Sequence, residues 1–157
     1  MRKRIMEAGR TTTPDELHGG WLDLTHLATV EVTSEDPRFP IESVFTNGGP
    51  GWRAAQTGEQ RIRLILDEPI SVRRILLRFC EPAIERTQEF TLHWSAAQGG
   101  AATEIIRQQW NFNPGGSTAE LEEYSVSLEG VSALELAIRP DIGRNDAVAT
   151  LAAWRVG

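Results

Sequence analysis

The stretch of the chain that decides the fold is residues 34–66, SEDPRFPIESVFTNGGPGWRAAQTGEQRIRLIL. It begins as a proline-punctuated loop, continues into one predicted helical turn at residues 41–45 and a glycine-rich turn, and then reaches Trp52 and Arg53. A strand is predicted next, because apolar residues alternate with arginines over residues 61–66. The order predicts a tryptophan packed beside a tight turn, just before the first long strand of an all-β domain.

Alternation of apolar and polar residues continues along most of the chain after residue 60, and this is the period of strands with one buried face. The alternating segments are 61–66, 74–80, 89–94, 124–128, 134–138 and 148–156, with 22–24 and 30–32 as shorter candidates near the start. In the last long segment the predicted shared face carries Val148, Thr150, Ala152, Trp154 and Val156.

Turn-forming residues punctuate these segments. They are DEP at 67–69, predicted as a short turn between two strands, AAQGG at 96–100, predicted as a hairpin loop, NPGG at 113–116 and RPDIGRND at 139–146. Residues 118–123 are predicted to form one helical turn. The pattern predicts seven to nine strands in two packed antiparallel sheets, which is an all-β, jelly-roll-like sandwich with one or two short helical turns.

Composition narrows the range of partners. The chain has 157 residues, enough for one domain that buries about 70% of its unfolded surface. The net charge is −6 and Lys3 is the only lysine, which argues against a broad surface for nucleic acid or anionic membrane. Cys80 is the only cysteine, so no disulfide forms within the chain and a reducing compartment fits. We expect a cytoplasmic protein with a polar arm over residues 1–20 and a sandwich domain over residues 21–157.

The opening stretch resembles the galactose-binding-like β-sandwich superfamily, which includes discoidin or coagulation-factor C-type domains. Members carry a loop, a short turn of the pxxxvfDG kind, a tryptophan and a strand ending in LxxPxxV. The matching residues are Pro40, Val44, Phe45, Asn47, Gly48, Trp52, Ile62, Leu64, Leu66, Pro69 and Val72. The later segments 90–95 and 147–156 resemble a core strand and the carboxy-terminal strand that returns beside the first. The resemblance covers residues 25–157.

One subfamily is similar over a shorter run. The segment WRAAQTGE, residues 52–59, resembles the amino-terminal domains of single-strand-break repair scaffold proteins. This resemblance implies a protein-binding module with contacts to a polymerase and to nicked DNA. The net charge of −6 argues against the DNA contact.

The superfamily also implies a structural calcium after the first helical turn, held by an aspartate and backbone carbonyls. The matching position is Asn47, with Glu35 and Asp36 near it in sequence. Calcium prefers several oxygen ligands that include carboxylate charge. Because no acidic cluster surrounds Asn47 in the sequence, we expect neither bound calcium nor another cofactor.

Sugar sites on this sandwich lie on loops at one end, where polar side chains bind hydroxyl groups beside an aromatic ring. Arginine forks, carboxylates and amides supply such contacts. The residues predicted for a carbohydrate or small-polyol site are Trp52, Arg53, Trp110, Arg139, Arg144 and Asn145. Two of these have a second interpretation. Trp52 fits a plug at the end of the core, and Trp110 fits either a stacking platform or a cap on the core.

The alternative function is a protein-interaction module. Its predicted contact surface carries Arg61, Arg63, Arg74 and Arg78, which share polar phases on strands expected to be adjacent. Catalysis is not predicted. The chain lacks a G-x-S-x-G elbow and a P-loop, and His18, His26 and His93 follow no metal-ligand spacing. The sequence therefore predicts a non-catalytic binding module with no catalytic residues and no metal.

Overall fold

Eight β-strands supply nearly all the regular structure in residues 20–96 and 100–157, the parts of the chain that this computed structural model describes. A four-residue helix, α1 (Leu24–Leu27), and a 3-10 turn (Ile41–Phe45) complete it. The strands are β1 (Ala28–Val32), β2 (Trp52–Thr57), β3 (Gln60–Cys80), β4 (Arg86–Ser95), β5 (Thr103–Phe112), β6 (Ala119–Arg139), β7 (Val148–Leu151) and β8 (Ala153–Val156). The predicted arm, residues 1–20, lies outside the described residues except for Gly20.

All strand pairs are antiparallel, and the main sheet runs in the order β1-β3-β6-β4-β5, with β8 also paired to β3. Strands β2 and β7 form a separate pair. The two 21-residue strands, β3 and β6, pair along their whole length but lose regular register between Ile65 and Arg74. Before this irregularity β3 lies between β1 and β6, and after it β3 lies between β6 and β8. The paired long strands therefore bend from one layer of a sandwich into the other.

Two predictions are wrong because β3 and β6 are continuous through this bend. Residues 67–69 (DEP) do not form a turn between two strands, because β3 continues through them as the irregular, exposed part of one strand. Residues 119–123 are not a helical turn, because they form the start of β6 and pair with the end of β3 from Leu76 to Cys80. A turn-forming composition can thus mark a bend within a strand, where register shifts absorb the proline.

The core lies between the two layers and follows the predicted alternation. Ile62 and Leu64 are buried from the first half of β3, and Ile75, Leu77 and Phe79 from its second half. The layers meet where the ring centroid of Phe79 lies 5.1 Å from that of Phe90 on β4. Burial of a large apolar side chain contributes about 1.5–3 kcal/mol, so this inward face is the main source of stability.

Gly51 fixes the approach of the 3-10 turn to the rest of the domain. Its φ of 84° lies in the left-handed region, and a Cβ built there would lie 2.8 Å from the carbonyl oxygen of Leu151. Only glycine fits at this distance. Trp52 follows directly, pairs with Leu151 and is buried, as the plug interpretation predicted.

Two further segments differ from the prediction. Residues 22–24 are not a strand, since α1 begins at Leu24. The final segment is interrupted at Ala152, so that Ala149 and Leu151 are buried before the break and Trp154 and Val156 after it. Val148, Thr150 and Ala152 are therefore not on the buried face with Trp154. Strand β8 pairs with β3, and the amino-terminal segment reaches it through Leu22 N–H, which donates to Val156 O at 2.7 Å.

The helices among the described residues are too short or too polar to span a bilayer.

Candidate functional site

Four connections meet at one end of the sandwich, which we call the loop end: residues 58–59, 81–85, 113–118 and 140–147. Backbone hydrogen bonds join them in pairs. Gly58 N–H donates to Ala147 O at 3.1 Å, and Glu81 N–H donates to Thr118 O at 2.8 Å. Arg86 joins the two pairs, because its guanidinium contacts both Glu81 and Pro140. The loop end is therefore a single surface, although its segments are distant in sequence.

Buried Arg86 anchors the loop end from below. Its guanidinium donates to Glu81 Oε1 at 2.9 Å, to Pro140 O at 2.8 Å and to Thr150 Oγ1 at 3.2 Å. It also lies over the ring of Phe112, 4.8 Å from the centroid. Removing one partner of such a buried pair typically costs about 3–5 kcal/mol, because the other charge remains buried. Arg86 thus fixes the start of the 140–147 connection against the sandwich.

The 140–147 connection presents polar groups and one apolar side chain to solvent. Arg144 pairs with Asp146 at 3.2 Å, and Asn145 is exposed. Ile142 is 39% exposed, and Ile84 on the neighbouring 81–85 connection is 46% exposed. Exposed apolar side chains beside hydrogen-bonding groups are a usual composition of a ligand surface.

The remaining predicted loop residues have different environments. Arg139 ends β6 and pairs with Glu89 at 3.6 Å, at the edge of the loop end. Arg53 is half-buried and pairs in register with Thr150, whose hydroxyl contacts Arg86. Trp52 is only 2% exposed and its Nε1–H donates to Ser34 O at 3.0 Å, so its ring is not available for stacking. Burial removes Trp52 from the candidate ligand contacts.

Trp110 faces inward from β5, between the two layers. It is half-buried and lies in register opposite Gln88, whose side chain is fully buried. Its Nε1–H is buried without a hydrogen-bond partner. Trp110 is therefore not an exposed platform on the loop end. It is also not a core residue whose polar atoms are all hydrogen-bonded.

A polar cluster that the sequence did not reveal lies next to Trp110. We call it the lateral cluster and define it by Gln88, Trp110, Glu120, Glu122 and Tyr124. Gln88 Nε2–H donates to Glu120 Oε1 at 3.2 Å. Glu120, Glu122 and Tyr124 all face inward from the first part of β6, and Glu120 is 0% exposed. The cluster lies between β5 and this part of β6, each of which pairs with one neighbouring strand among the described residues.

Two groups of the lateral cluster, Glu120 and Tyr124, have raised pKa values. Burial, and then the adjacent Glu122 carboxyl, raise the pKa of Glu120 to about 8. Burial and the nearby Glu122 and Glu120 carboxyls also raise the pKa of Tyr124. At neutral pH Glu120 therefore holds a proton next to Glu122, and Tyr124 keeps its hydroxyl hydrogen. The sequence signal that marks this cluster is a leucine between two glutamates at residues 120–122. In the structure Leu121 is 63% exposed, and the two glutamates face inward.

The four arginines of the alternative interface do not form one surface. They all belong to β3, not to adjacent strands, and the bend places Arg61 and Arg63 on the outer face of one layer and Arg74 and Arg78 on that of the other. Arg63 pairs with Glu135 at 2.9 Å, and the guanidinium of Arg74 lies 3.9 Å from the ring centroid of Trp21. The prediction of a shared arginine face is wrong because the strand changes layer.

The first of these outer faces carries a row of alternating charges. Arg63, Glu135 and His93 lie in register on neighbouring strands, and Glu31 lies on the far side of Arg63 at 3.6 Å. Arg63, Glu135 and His93 also line a surface cavity of 240 Å³, together with Ser95. Because the opposite charges neutralise each other, this face is polar without being strongly cationic.

At the position where the resemblance implies calcium, the loop oxygens contact a cation of the chain itself. The guanidinium of Arg155 donates to Val44 O at 2.8 Å, to Asn47 Oδ1 at 3.0 Å and to Thr46 O at 3.4 Å. The oxygens that would surround the metal are thus aimed at a fixed cation, and neighbouring Glu35 accepts from Ile41 N–H at 2.8 Å. No group of three or more acidic, histidine or cysteine side chains in residues 20–96 and 100–157 is placed to hold a metal.

Comparison with known proteins identifies the fold. No protein-family model and no curated protein sequence matches the chain. A family 32 carbohydrate-binding module of Clostridium perfringens, solved with GalNAc-β-1,3-galactose, is similar at a TM-score of 0.62 and 16% identity, over 87% of this chain and 99% of that one.

Two further structures have comparable similarity. The family 32 module of C. perfringens NanJ, in complex with galactose, has a TM-score of 0.57 and 16% identity, over 87% of this chain and 96% of that one. Reduced XRCC1 bound to the DNA polymerase β catalytic domain has a TM-score of 0.61 and 12% identity, over 84% of this chain and 95% of that one. These similarities and the bent, two-layer strand order agree with the predicted fold. The chain therefore has the galactose-binding-like β-sandwich fold.

Proposed function

We propose that this protein is a non-catalytic binding module that recognises a carbohydrate or small polyol at the loop end. The observation that carries the proposal is the 140–147 connection, which Arg86 holds in place while Arg144 and Asn145 remain exposed beside Ile142. An arginine fork and an amide bind vicinal hydroxyl groups, and an apolar side chain packs against the C–H face of a sugar ring. Arg139, at the end of β6, borders the same surface and adds a donor to it.

The neighbours support the same ligand class. Modules of this fold have been solved with galactose, with 4,5-unsaturated mannuronic acid and with GalNAc-β-1,3-galactose, and another is a chitosan-binding module. The acidic balance of this chain favours a neutral or amino sugar over an anionic one, because the net charge of −6 repels an added carboxylate. The single thiol of Cys80, which is exposed, suits the proposed cytoplasmic location.

The experiment is a calorimetric titration with galactose, GalNAc-β-1,3-galactose and chitosan oligosaccharides. The variants Arg144→Ala and Asn145→Ala each remove one exposed group, and Arg73→Ala removes an exposed arginine in the bend, away from the loop end. We expect saturable binding that either loop variant weakens about 2- to 150-fold, because one hydrogen bond contributes about 0.5–3 kcal/mol, least between neutral groups and most with a charged group. Arg73→Ala should bind normally. Equal weakening in all three variants, or no binding to any sugar, would overturn the proposal.

A protein-interaction module is the second candidate. It is favoured by XRCC1, which has this fold and was solved bound to a polymerase domain. In this chain the face with Arg61, Arg63, Glu135 and His93 would serve, because it combines a cavity with paired charges. An affinity capture with wild type and Arg63→Glu tests it. A stoichiometric partner that Arg63→Glu loses, together with no response to sugars, would replace the first proposal by the second.

A further inference from the structure

A guanidinium of the chain itself binds the end of the 3-10 turn and the residues that follow it. We call residues 44–47 the turn exit. The guanidinium of Arg155 donates to Val44 O at 2.8 Å, to Asn47 Oδ1 at 3.0 Å and to Thr46 O at 3.4 Å. Two backbone carbonyl oxygens and one side-chain amide oxygen therefore converge on a single cation, which lies 108 to 111 positions further along the chain.

The charge of these oxygens suits a guanidinium. Carbonyl and amide oxygens accept hydrogen bonds without bringing a full negative charge. The two carboxylates that the sequence offered for calcium have other partners, because Glu35 accepts from Ile41 N–H at 2.8 Å and Asp36 accepts from the guanidinium of Arg38 at 2.8 and 3.1 Å. Calcium takes about six to eight oxygen ligands, carboxylates among them. A guanidinium carries one positive charge on a planar set of donors, so three neutral oxygens match it better.

The strand that carries Arg155 fixes its position. Arg155 lies on β8, in register with Leu76 of β3 and between the buried residues Trp154 and Val156. The ring centroid of Trp154 lies 6.0 Å from that of Phe45, so neighbouring residues of β8 contact both the apolar and the polar groups of the turn exit. An ion that binds from solution loses translational freedom, whereas this cation is covalently attached. Arg155 therefore binds the turn exit at a lower entropic cost than a free ion.

We propose that Arg155 is the resident cation of the turn exit, in the place that the superfamily resemblance gives to a metal ion. The guanidinium orders the turn exit as part of the chain, and this order does not depend on the calcium concentration. The inference is independent of the proposed sugar site. Strand β2 begins at Trp52, shortly after the turn exit, and ends at Thr57, next to residues 58–59 of the loop end.

The test removes the cation and returns it from solution. Arg155→Ala leaves the oxygens without their guanidinium, and N-ethylguanidinium supplies the missing part of the side chain. We expect Arg155→Ala to lower the melting temperature by about 3–12 °C, the equivalent of one hydrogen bond to a charged group. N-ethylguanidinium at about 20 mM, with a dissociation constant of about 10 mM, should restore about 1–3 °C. It should not raise the melting temperature of wild type or of Arg73→Ala, which lacks an exposed arginine in the bend.

Nuclear magnetic resonance shows where the added guanidinium binds. In Arg155→Ala the side-chain amide signals of Asn47 should move towards their wild-type positions as N-ethylguanidinium is added. Calcium at about 5 mM is the competing cation, and we expect it to leave the melting temperature of Arg155→Ala unchanged because the three oxygens include no carboxylate. Rescue by calcium in place of N-ethylguanidinium would overturn the proposal and identify the turn exit as a metal site. Equal melting temperatures of wild type and Arg155→Ala would overturn it as well.

A second variant tests the same contact if Arg155→Ala does not fold. Asn47→Ala removes one of the three oxygens from an exposed side chain and keeps the guanidinium. It should lower the melting temperature by about 3–12 °C, since the lost hydrogen bond has a charged donor. Asn145→Ala, the same change at an exposed residue of the loop end, should leave the melting temperature unchanged. The proposal fails if the two asparagine variants melt at the same temperature.

Discussion

Replacing Glu120 by glutamine separates the cost of burying a charge from the cost of burying a polar side chain. Glu120 is 0% exposed and lies in register with Phe79, on the inward face of β6. Glutamine is close in shape to the protonated acid. Its carbonyl oxygen can still accept from Gln88, and its amide can donate to Glu122 in place of the acid proton.

The expected effect depends on pH. The pKa of Glu120 is raised from 4.5 to about 8 in the folded protein, so the folded state holds a proton that the unfolded chain has already lost in this range. Unfolding free energy therefore falls as pH rises, by about 1.4 kcal/mol per pH unit. Between about pH 5 and 8 the wild type should lose about 4 kcal/mol, a large part of a typical total of about 5–15 kcal/mol.

Urea unfolding at pH 5, 6, 7 and 8 measures the slope directly. Near pH 5 we expect Glu120→Gln to have the stability of wild type within about 1 kcal/mol, and by pH 8 to exceed it by about 3–4 kcal/mol. Glu123→Gln, an exposed change on the opposite face of β6, should keep the wild-type slope. Asp36 does not interfere, because Arg38 holds its pKa near 2, below the range of the experiment. Parallel curves for wild type and Glu120→Gln would refute the reasoning, since Glu120 would then be ionised in the folded protein.

Three further outcomes are expected. Arg86→Ala should lower the unfolding free energy by about 3–5 kcal/mol in the same assay, whereas Arg63→Ala, at an exposed ion pair, should lower it by about 1 kcal/mol or less. Gly51→Ala should lower the unfolding free energy by more than Gly58→Ala, for which we expect about 1–2 kcal/mol. Both glycines have positive φ, but only a Cβ at position 51 would meet the facing backbone; equal thermal shifts would contradict this. Calcium or a chelator should leave the melting temperature unchanged in wild type, because Arg155 already binds the loop oxygens, and a calcium-dependent shift would show that the guanidinium can be displaced.

The sequence predicted the fold correctly in segments where the alternation of apolar and polar residues was the dominant signal. Alternation at 61–66 and 134–138 placed the buried faces correctly, because each of these segments has one face in the core and the other in solvent. The length of β3 was not predictable in the same way. Residues 67–69 have the composition of a turn, and only the pairing of β3 with β6 shows that they form a bend within one strand.

The candidate site was less predictable than the fold. The 139–146 segment was recognised as a loop from its own residues, and the structure agrees. The support of that loop was not recognised, because Arg86 lies 54 positions from Pro140 and nothing local in the sequence joins them. Trp110 was predicted as a loop-end residue from its closeness to NPGG, but its side chain faces inward because it shares a phase with Phe112. Both the support of the loop and the orientation of Trp110 depend on contacts between the two layers, which the local sequence does not show.

The first part of β6 shows where local pattern and tertiary structure conflict. A slip of one residue would bury Leu121 and expose Glu120 and Glu122, which is the arrangement that hydrophobicity alone favours. The observed register is fixed instead by Tyr124, Val126 and Leu128, which pack on the core from the same face as the two glutamates. The chain therefore retains two buried carboxyl groups and exposes a leucine, at a cost that grows with pH. Departures of this kind concentrate at functional sites, and Glu120→Gln tests whether this one is maintained at a measurable cost in stability.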